Sequence, residues 1–253
     1  MNPVYLISII IFIYGTIVGS FLNVLIYRIP KKENIAIVRS HCMNCDYHLR
    51  WYDLIPVFSY LALKGRCRRC KQKISVQYPI IEGMNGVFWV LIFLKFGLTI
   101  ESLLYCLLFS ALLALSVIDF RTYEIPVGFN IFIGILGIVH VATDYRNWLS
   151  YVIGLVSLSL VLFLIFIFTQ GRGIGGGDVK LMAATGLLLG WKINIVGFIF
   201  GCILGSVIHI IRMKISKEGH VLAMGPYLSM GVMLSIFFGG QLISWYLGLL
   251  GLS

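Results

Sequence analysis

Two aspartates adjoin long apolar segments and could do chemistry together. Asp119 follows the run Leu115–Ile118, and Asp178 follows three consecutive glycines. Acidic side chains near a bilayer are costly and usually functional. Two carboxyl groups that meet can act as general base and general acid on one water molecule. The pair therefore predicts an intramembrane aspartyl protease.

Each aspartate alone also has a simpler interpretation. Asp119 could mark the solvated end of a helix beside Arg121, and Asp178 could be an ordinary N-cap after its glycines. The two acids are expected at one membrane depth, however, and the Gly175–Gly177 run permits close backbone approach. We therefore favour a shared site, which Lys180 flanks.

Four of the six cysteines form two pairs, Cys42-x2-Cys45 and Cys67-x2-Cys70, separated by 21 residues. Thiolates at this spacing can close on one tetrahedral Zn²⁺, with each pair forming one edge of the site. Disulfides are the alternative, which a reducing cytoplasm disfavours. We therefore expect a structural zinc site.

The remaining histidines, cysteines and acids that we considered are weaker candidates for a functional role. His41 and His48 flank the first cysteine pair and could substitute as ligands. Cys106 and Cys202 lie inside apolar segments and are expected to be packing residues. Glu82 opens the second apolar segment, and we expect it to pair with an arginine of the preceding polar insert rather than to catalyse.

The elements that must position these groups are apolar helices. The chain has 253 residues, of which 59% are hydrophobic and 12% charged, and its mean hydropathy of +0.96 excludes an ordinary soluble domain. Because a spanning helix needs about 20 residues, we predict an all-α, polytopic membrane protein of about eight transmembrane helices. The predicted spans are residues 4–27, 80–98, 101–118, 126–143, 149–169, 179–191 (a short one), 193–211 and 227–249.

The positive charges predict the orientation. Basic residues follow the first apolar run but none precedes it, so we expect a spanning helix rather than a cleaved signal, with its N-terminus outside. Threading the spans from there places both aspartates and most of the twenty Lys and Arg on the cytoplasmic side. The net charge of +10 thus indicates topology rather than a nucleic-acid partner. The basic residues expected outside are Lys95, Arg146 and Lys192.

One long polar insert, residues 28–78, carries both cysteine pairs. Eleven basic residues against three acids predict that it faces the cytoplasm and attracts anionic lipid headgroups or an acidic substrate segment. We divide the chain into a first transmembrane helix (1–27), this insert (28–78) and a seven-helix membrane core (79–253). No internal repeat is apparent.

Several of these segments resemble the type IV prepilin peptidase family, the membrane aspartyl enzymes that process prepilins and related pseudopilins. Gly175, Gly177 and Asp178 fit the family's GxGD element, with Ile174 where methionine is common. The resemblance covers nearly the whole chain. The segments that carry it are residues 19–30, 50–60, 64–82, 119–126, 173–181 and 223–227.

The resemblance implies a multi-pass enzyme of the bacterial inner membrane that cuts on the cytoplasmic side, with Asp119 and Asp178 as its catalytic acids. Its substrates would be prepilins or pseudopilins with a short basic leader before an apolar helix, cut just after a glycine. The full four-cysteine insert resembles that of members that then N-methylate the new N-terminus with S-adenosylmethionine. No glycine fingerprint locates a pocket for this methyl donor.

Two other classes stay open. A proton-coupled membrane transporter could use Asp119 and Asp178 as a relay around a glycine-broken helix. A relay, however, needs polar residues through the membrane depth, whereas both acids are expected at one face. A zinc-bearing assembly scaffold would tolerate loss of both acids and depend on its cysteines. We favour the peptidase, with prepilins and membrane lipid as partners and no nucleic acid.

Overall fold

The computed structural model describes residues 3–35, 39–216 and 222–251. These ranges hold nine α-helices and two short 3-10 turns, Trp51–Leu54 and Tyr145–Asn147, and no strand, so the predicted all-α fold is confirmed. Residues 217–221, between the seventh and eighth predicted spans, lie outside them. The helices are α1 (Pro3–Lys31), α2 (Phe58–Ala62), α3 (Gln77–Phe96), α4 (Ile100–Thr122), α5 (Val127–Thr143), α6 (Trp148–Phe168), α7 (Gly176–Leu189), α8 (Trp191–Ser216) and α9 (Gly225–Leu249).

Each of the eight predicted spans corresponds to a helix, apart from a few residues at or near the span ends. Six helices in the described ranges are long and apolar enough to cross a membrane, namely α1, α3, α4, α6 with the turn before it, α8 and α9. The apolar helix α5 has 17 residues and α7 has 14, both below the roughly 20 of a full span. The polytopic membrane fold is therefore confirmed. Two of the eight predicted spans, those of α5 and α7, are shorter than a full span.

The chain folds as two compact units. The N-terminal unit runs to Ala114 and the C-terminal unit begins at Leu115, so the boundary lies inside α4. The predicted division of the chain at residues 27 and 78 marks the two ends of the polar insert, whereas the boundary at residue 114 separates two packed units. The predicted division stays a prediction.

In the N-terminal unit, α1 and α3 pack closely because glycines leave no side chain at their crossing. A methyl group on Gly19 would lie 2.7 Å from the Cα of Glu82, and one on Gly15 would lie 2.8 Å from the Cα of Gly86. Small residues let helix backbones approach in membranes, where packing rather than the hydrophobic effect drives association.

A buried hydrogen-bond network joins α1, α3 and α4 within this unit. The amide of Asn85 donates to the carbonyl of Gly15 (2.7 Å) and accepts from the hydroxyl of Ser110 (2.9 Å). The indole of Trp89 donates to the same hydroxyl at 3.0 Å. Lipid offers no hydrogen-bonding partners, so the network satisfies its polar groups within the protein and fixes the register of the three helices.

In the C-terminal unit, glycine pairs again bring helices together. Gly154 of α6 meets Gly186 of α7, and Gly231 of α9 meets Gly197 and Gly201 of α8, so closely that no Cβ fits at these contacts. The side chains of Thr185 and Asn194 bond to each other at 2.8 Å and link α7 to α8. The short helix α7 is thereby fixed between its neighbours.

Helices α5 and α7 run in the same direction. At their beginnings, a Cβ on Gly177 would lie 3.0 Å from Ile125. Towards their ends, the imidazole of His140 donates to the carbonyl of Leu188 at 2.6 Å. The first residues of both helices therefore lie at the same end of the unit.

We expect Gly19→Ala to destabilise the protein by about 1–3 kcal/mol, because the new methyl group meets the backbone of α3. Gly83→Ala is the matched control: nothing lies within 4 Å of a Cβ there, and alanine is the better helix former. Thermal unfolding of both variants in detergent checks this. Equal stability of the two variants would contradict the close approach of α1 and α3.

Candidate functional site

Asp119 lies in the last turn of α4 and is 4% exposed. The backbone N–H of Gly225, the first residue of α9, donates to its Oδ2 at 2.8 Å. The first amides of a helix have no partner within the helix, so they are free to bind an acceptor. The beginning of α9 thus holds one carboxylate oxygen of Asp119 in place.

Asp178 lies in the first turn of α7, which begins after the N-cap Gly175. Its N–H donates to the carbonyl of Gly175 at 3.1 Å. A methyl group on Gly175 would lie 3.0 Å from Oδ2 of Asp178, while one on Gly177 would crowd Ile125. The two glycines predicted as a motif around this acid therefore leave room for its carboxylate and for the chain before α5.

The C-terminal unit brings the two acids together. Gly177, next to Asp178, packs against Ile125, which follows Asp119 by six residues, and the charge of Asp119 reaches the carboxyl group of Asp178. Asp119 is buried and Asp178 is half-buried. Because like charges this close disfavour simultaneous ionisation, such a pair can offer one base and one acid.

Lys180, which the sequence places close to Asp178, lies on the exposed surface of α7. It follows Asp178 by two residues, so the two side chains do not share a helix face. Any role of Lys180 in the chemistry stays a prediction.

A cavity of about 70 Å³ opens next to Phe120, the residue that follows Asp119, with room for a few water molecules or one small side chain. Its walls come from the ends of α4 and α8 and the beginning of α9, segments that are far apart in the sequence. Nothing in the local sequence pattern predicts it. Its lining residues are Phe120, Tyr123, Arg212, Leu222, Ala223 and Tyr227.

Asn130 is a polar residue that the sequence analysis missed. It lies in the first turn of α5, at the same end of the unit as Asp178, and is 6% exposed. Neither polar atom of its side chain has a hydrogen-bond partner in the parts of the chain that the structure describes. A buried amide of this kind binds water or a ligand. The available signal was a lone asparagine within the apolar run 126–143.

The four cysteines of the insert form one cluster that could hold a metal ion. Their sulfur atoms all lie within 4.8 Å of one another, with Cys42 and Cys70 at 3.8 Å and Cys45 and Cys67 at 4.0 Å. A tetrahedral site with metal–sulfur distances of about 2.3 Å has edges of about 3.8 Å, which these distances match. All four are free thiols, and no histidine joins the cluster among the described residues.

The two cysteine turns are built alike. The N–H of Asp46 donates to the carbonyl of Cys42 (2.9 Å), and that of Lys71 donates to the carbonyl of Cys67 (3.1 Å). Asp46 and Lys71 both have positive φ, at 52° and 61°. The turns therefore repeat one backbone structure, which the sequence analysis did not detect because few side chains are shared.

The pKa values of the cysteines show that the four thiol groups do not all ionise readily on their own. The backbone N–H of Gln72 is the main cause that lowers the pKa of Cys70 to about 6. The backbone N–H of Tyr47 lowers the pKa of Cys45, but desolvation and the other three thiols outweigh it and raise that pKa to about 11. Four thiolates at one point therefore need a cation to ionise together.

An ion pair fixes the segment between the cysteine pairs. Oδ1 of Asp53 lies 2.7 Å from Nε of Arg68, and only 2% of the aspartate side chain is exposed. Its other oxygen accepts from the backbone N–H of Arg50 and the hydroxyl of Tyr47, both at 3.2 Å. Desolvation would raise the pKa of Asp53, but these donors outweigh it and hold that pKa below its usual value.

The prediction that Glu82 pairs with an arginine of the insert is wrong for the described residues. Its carboxylate, 6% exposed, accepts from the backbone N–H of Val57 at 2.7 Å. Val57 is the N-cap of α2, where a backbone amide has no partner within the helix. The backbone amide before α2 thus binds the Glu82 carboxylate, where the sequence predicted an arginine side chain.

Comparison with known proteins identifies the family. Residues 13–96 match the bacterial peptidase A24 N-terminal domain and residues 106–210 the type IV leader peptidase family. A prepilin leader peptidase/N-methyltransferase of Bacillus subtilis (strain 168) is 31% identical over 242 residues, which cover 94% of this chain and 97% of that protein. The chain belongs to the type IV leader peptidase family. The resemblance seen in its motifs is confirmed, and this leader peptidase is a multi-pass enzyme of the bacterial inner membrane.

Two further relatives extend the similarity over nearly the whole chain. A protein of the same name from Pseudomonas putida is 29% identical over 282 residues, covering 99% of this chain and 97% of that protein. Another from Stutzerimonas stutzeri is 30% identical over 268 residues, covering 93% and 92%. No solved structure matches the chain.

We expect Cys42→Ser and Cys70→Ser each to lower the bound metal at least fivefold from about one ion per chain, because three thiolates cannot complete a tetrahedral site. Cys202→Ser, in α8, should keep its metal. Inductively coupled plasma mass spectrometry of the purified chains gives the metal content. Metal-free wild-type protein, or equal contents in all three variants, would contradict a cluster that holds a metal.

Proposed function

We propose that this leader peptidase cleaves the basic leader of type IV prepilins or pseudopilins, with Asp119 and Asp178 as its catalytic pair. The observation that carries the proposal is the meeting of these two acids in one unit, one at the end of α4 and one at the beginning of α7. The relatives named prepilin leader peptidase/N-methyltransferase support the choice of substrate.

The reaction needs one ionised and one protonated carboxyl group. The ionised group takes a proton from water as the water oxygen attacks the peptide carbonyl carbon, and the protonated group donates to the carbonyl oxygen. The C–N bond then breaks as the leaving amine receives the proton that came from water, while a hydroxyl of the diol intermediate returns its proton to the other carboxylate and becomes the carbonyl of the product acid. The N–H of Gly225 binds Oδ2 of Asp119, and we assign Oδ1 to the contact with the water.

The location at helix ends suits the substrate. A peptide bond inside a membrane helix is hidden by its own hydrogen bonds, whereas a segment just outside the bilayer can be extended and cut. We propose that the cavity next to Phe120, which follows Asp119, receives one small side chain of the substrate. We propose that this end faces the cytoplasm and that the N-terminus lies outside, since basic residues concentrate on the side of the cysteine insert.

We further propose that the chain N-methylates the new N-terminus with S-adenosylmethionine as methyl donor. Support comes from the names of the relatives and from the complete four-cysteine insert. The cavity next to Phe120, at about 70 Å³, is well below the roughly 300 Å³ of a small-molecule site, so the methyl donor would bind elsewhere.

The metal of the cysteine cluster is proposed to be Zn²⁺ in a structural role. Four thiolates in a closed set leave no ligand position for water or substrate, which is typical of structural rather than catalytic zinc. The ion would hold the two cysteine turns together. It would also stabilise the loop between them, because Asp53 in that loop is paired with Arg68 in the second turn.

Asp119→Asn and Asp178→Asn should each lower prepilin cleavage at least a thousandfold, since an amide can neither accept nor donate the transferred proton. Glu101→Gln is the matched control, because Glu101 lies at the opposite end of α4, about 27 Å along the helix from Asp119. Single-turnover cleavage of a purified prepilin in detergent gives the rates. Full activity in either asparagine variant would eliminate that acid from the mechanism.

Gly225→Ala should lower the cleavage rate about ten- to a hundredfold with little change in KM, because the new methyl group would lie 2.7 Å from Oδ2 of Asp119 and displace it. Gly240→Ala, on the same helix, should keep its activity, since nothing lies within 4 Å of a Cβ there. Steady-state kinetics of both variants separates the two results. Equal rates would show that the contact with α9 does not position the acid.

A further inference from the structure

The insert carries an exposed apolar face outside the membrane-spanning helices. We call residues 51–62 the interfacial segment; it comprises the turn Trp51–Leu54 and the short helix α2. Trp51 is 78% exposed, Phe58 69% and Leu61 64%. Leu54 and Ile55 add to the same exposed stretch. Large apolar side chains that cluster on a surface mark an interaction site.

The contact with Glu82 fixes the depth of this segment. The N–H of Val57, just before α2, donates to the buried Glu82 carboxylate at 2.7 Å. Glu82 lies five residues into α3, a helix long and apolar enough to span, which is about 7.5 Å along its axis. The headgroup layer on each side of a bilayer is about 5–7 Å thick. When α3 enters the membrane at its first turn, the beginning of α2 therefore reaches the level of the headgroups.

The segment is also held in a fixed shape. Asp53 in the Trp51 turn is paired with Arg68 in the second cysteine turn at 2.7 Å. The turn and α2 are thus attached to the cysteine cluster on one side and to α3 on the other. A pre-formed apolar surface at headgroup depth needs little ordering when it enters the interface.

The charge around the segment selects the kind of lipid. Arg50 precedes it, Lys64 and Arg66 follow it, and the one acid within it, Asp53, is already paired with Arg68. Basic residues at a membrane surface attract anionic headgroups, and tryptophan prefers the same layer.

We propose that the interfacial segment docks on the anionic lipid surface of the membrane that α1 and α3 cross, with Trp51, Phe58 and Leu61 inserted at the boundary between headgroups and acyl chains. The segment then behaves as an interfacial helix does, by combining apolar burial with electrostatic attraction. It holds the cysteine cluster at the membrane surface rather than free in the cytoplasm.

The test uses the full chain in nanodiscs of phosphatidylglycerol with brominated acyl chains, since bromine quenches a nearby indole. The emission of Trp51 is the difference between wild type and Trp51→Phe. We expect bromolipid to lower that emission at least twofold and aqueous iodide to leave it almost unchanged. Trp245→Phe provides the control for a lipid-facing indole, because Trp245 is 62% exposed on the spanning helix α9.

A second variant separates docking from folding. Phe58→Ser with Leu61→Ser should reduce the bromolipid quenching of Trp51 while the cysteine cluster keeps its metal content. Nanodiscs of neutral phosphatidylcholine should quench less than anionic ones, and equal quenching would overturn the role of the anionic headgroup. Trp51 emission that iodide quenches and bromolipid does not would overturn the proposal. Shielding of Trp51 only after addition of a prepilin would assign the surface to a protein partner instead.

Discussion

A bilayer offers no hydrogen-bonding partners, and this constraint governs the whole structure. A polar group within the membrane needs a partner in the protein, a bound water molecule or a ligand, and Asn85 finds its partners in Gly15 and Ser110. Acids that activate water have to lie at helix ends near the membrane surface, where water is present. The acids at the end of α4 and the beginning of α7 meet this requirement, and glycines let the surrounding backbones come close enough to hold them.

The sequence predicts the parts of the site whose signals are local. Long apolar runs predict the helices, and aspartates or paired cysteines stand out against them because charge and thiol pairs are costly or unusual in such a chain. The short lengths of α5 and α7 have a weaker signal in the sequence, since a helix packed between others does not need a full span of apolar residues.

Other parts of the site depend on contacts between distant segments. Gly225 binds Asp119 across more than a hundred residues of sequence, and nothing around Gly225 alone indicates an acid nearby. The partner of Glu82 is a backbone amide, which no residue type reveals. Asn130 is visible in the sequence as a lone amide in an apolar run. Its burial without a hydrogen-bond partner among the described residues, which only the structure shows, makes it a candidate binding residue.

The mass of the product's N-terminal fragment tests the central claim most directly. Purified wild-type protein would be given a prepilin with a basic leader, with and without S-adenosylmethionine. The account predicts loss of the leader in both samples, and a product about 14 Da heavier (one methyl for one hydrogen) when the methyl donor is present. An intact prepilin after incubation with folded, metal-loaded protein would contradict the assignment of Asp119 and Asp178 as a peptidase pair.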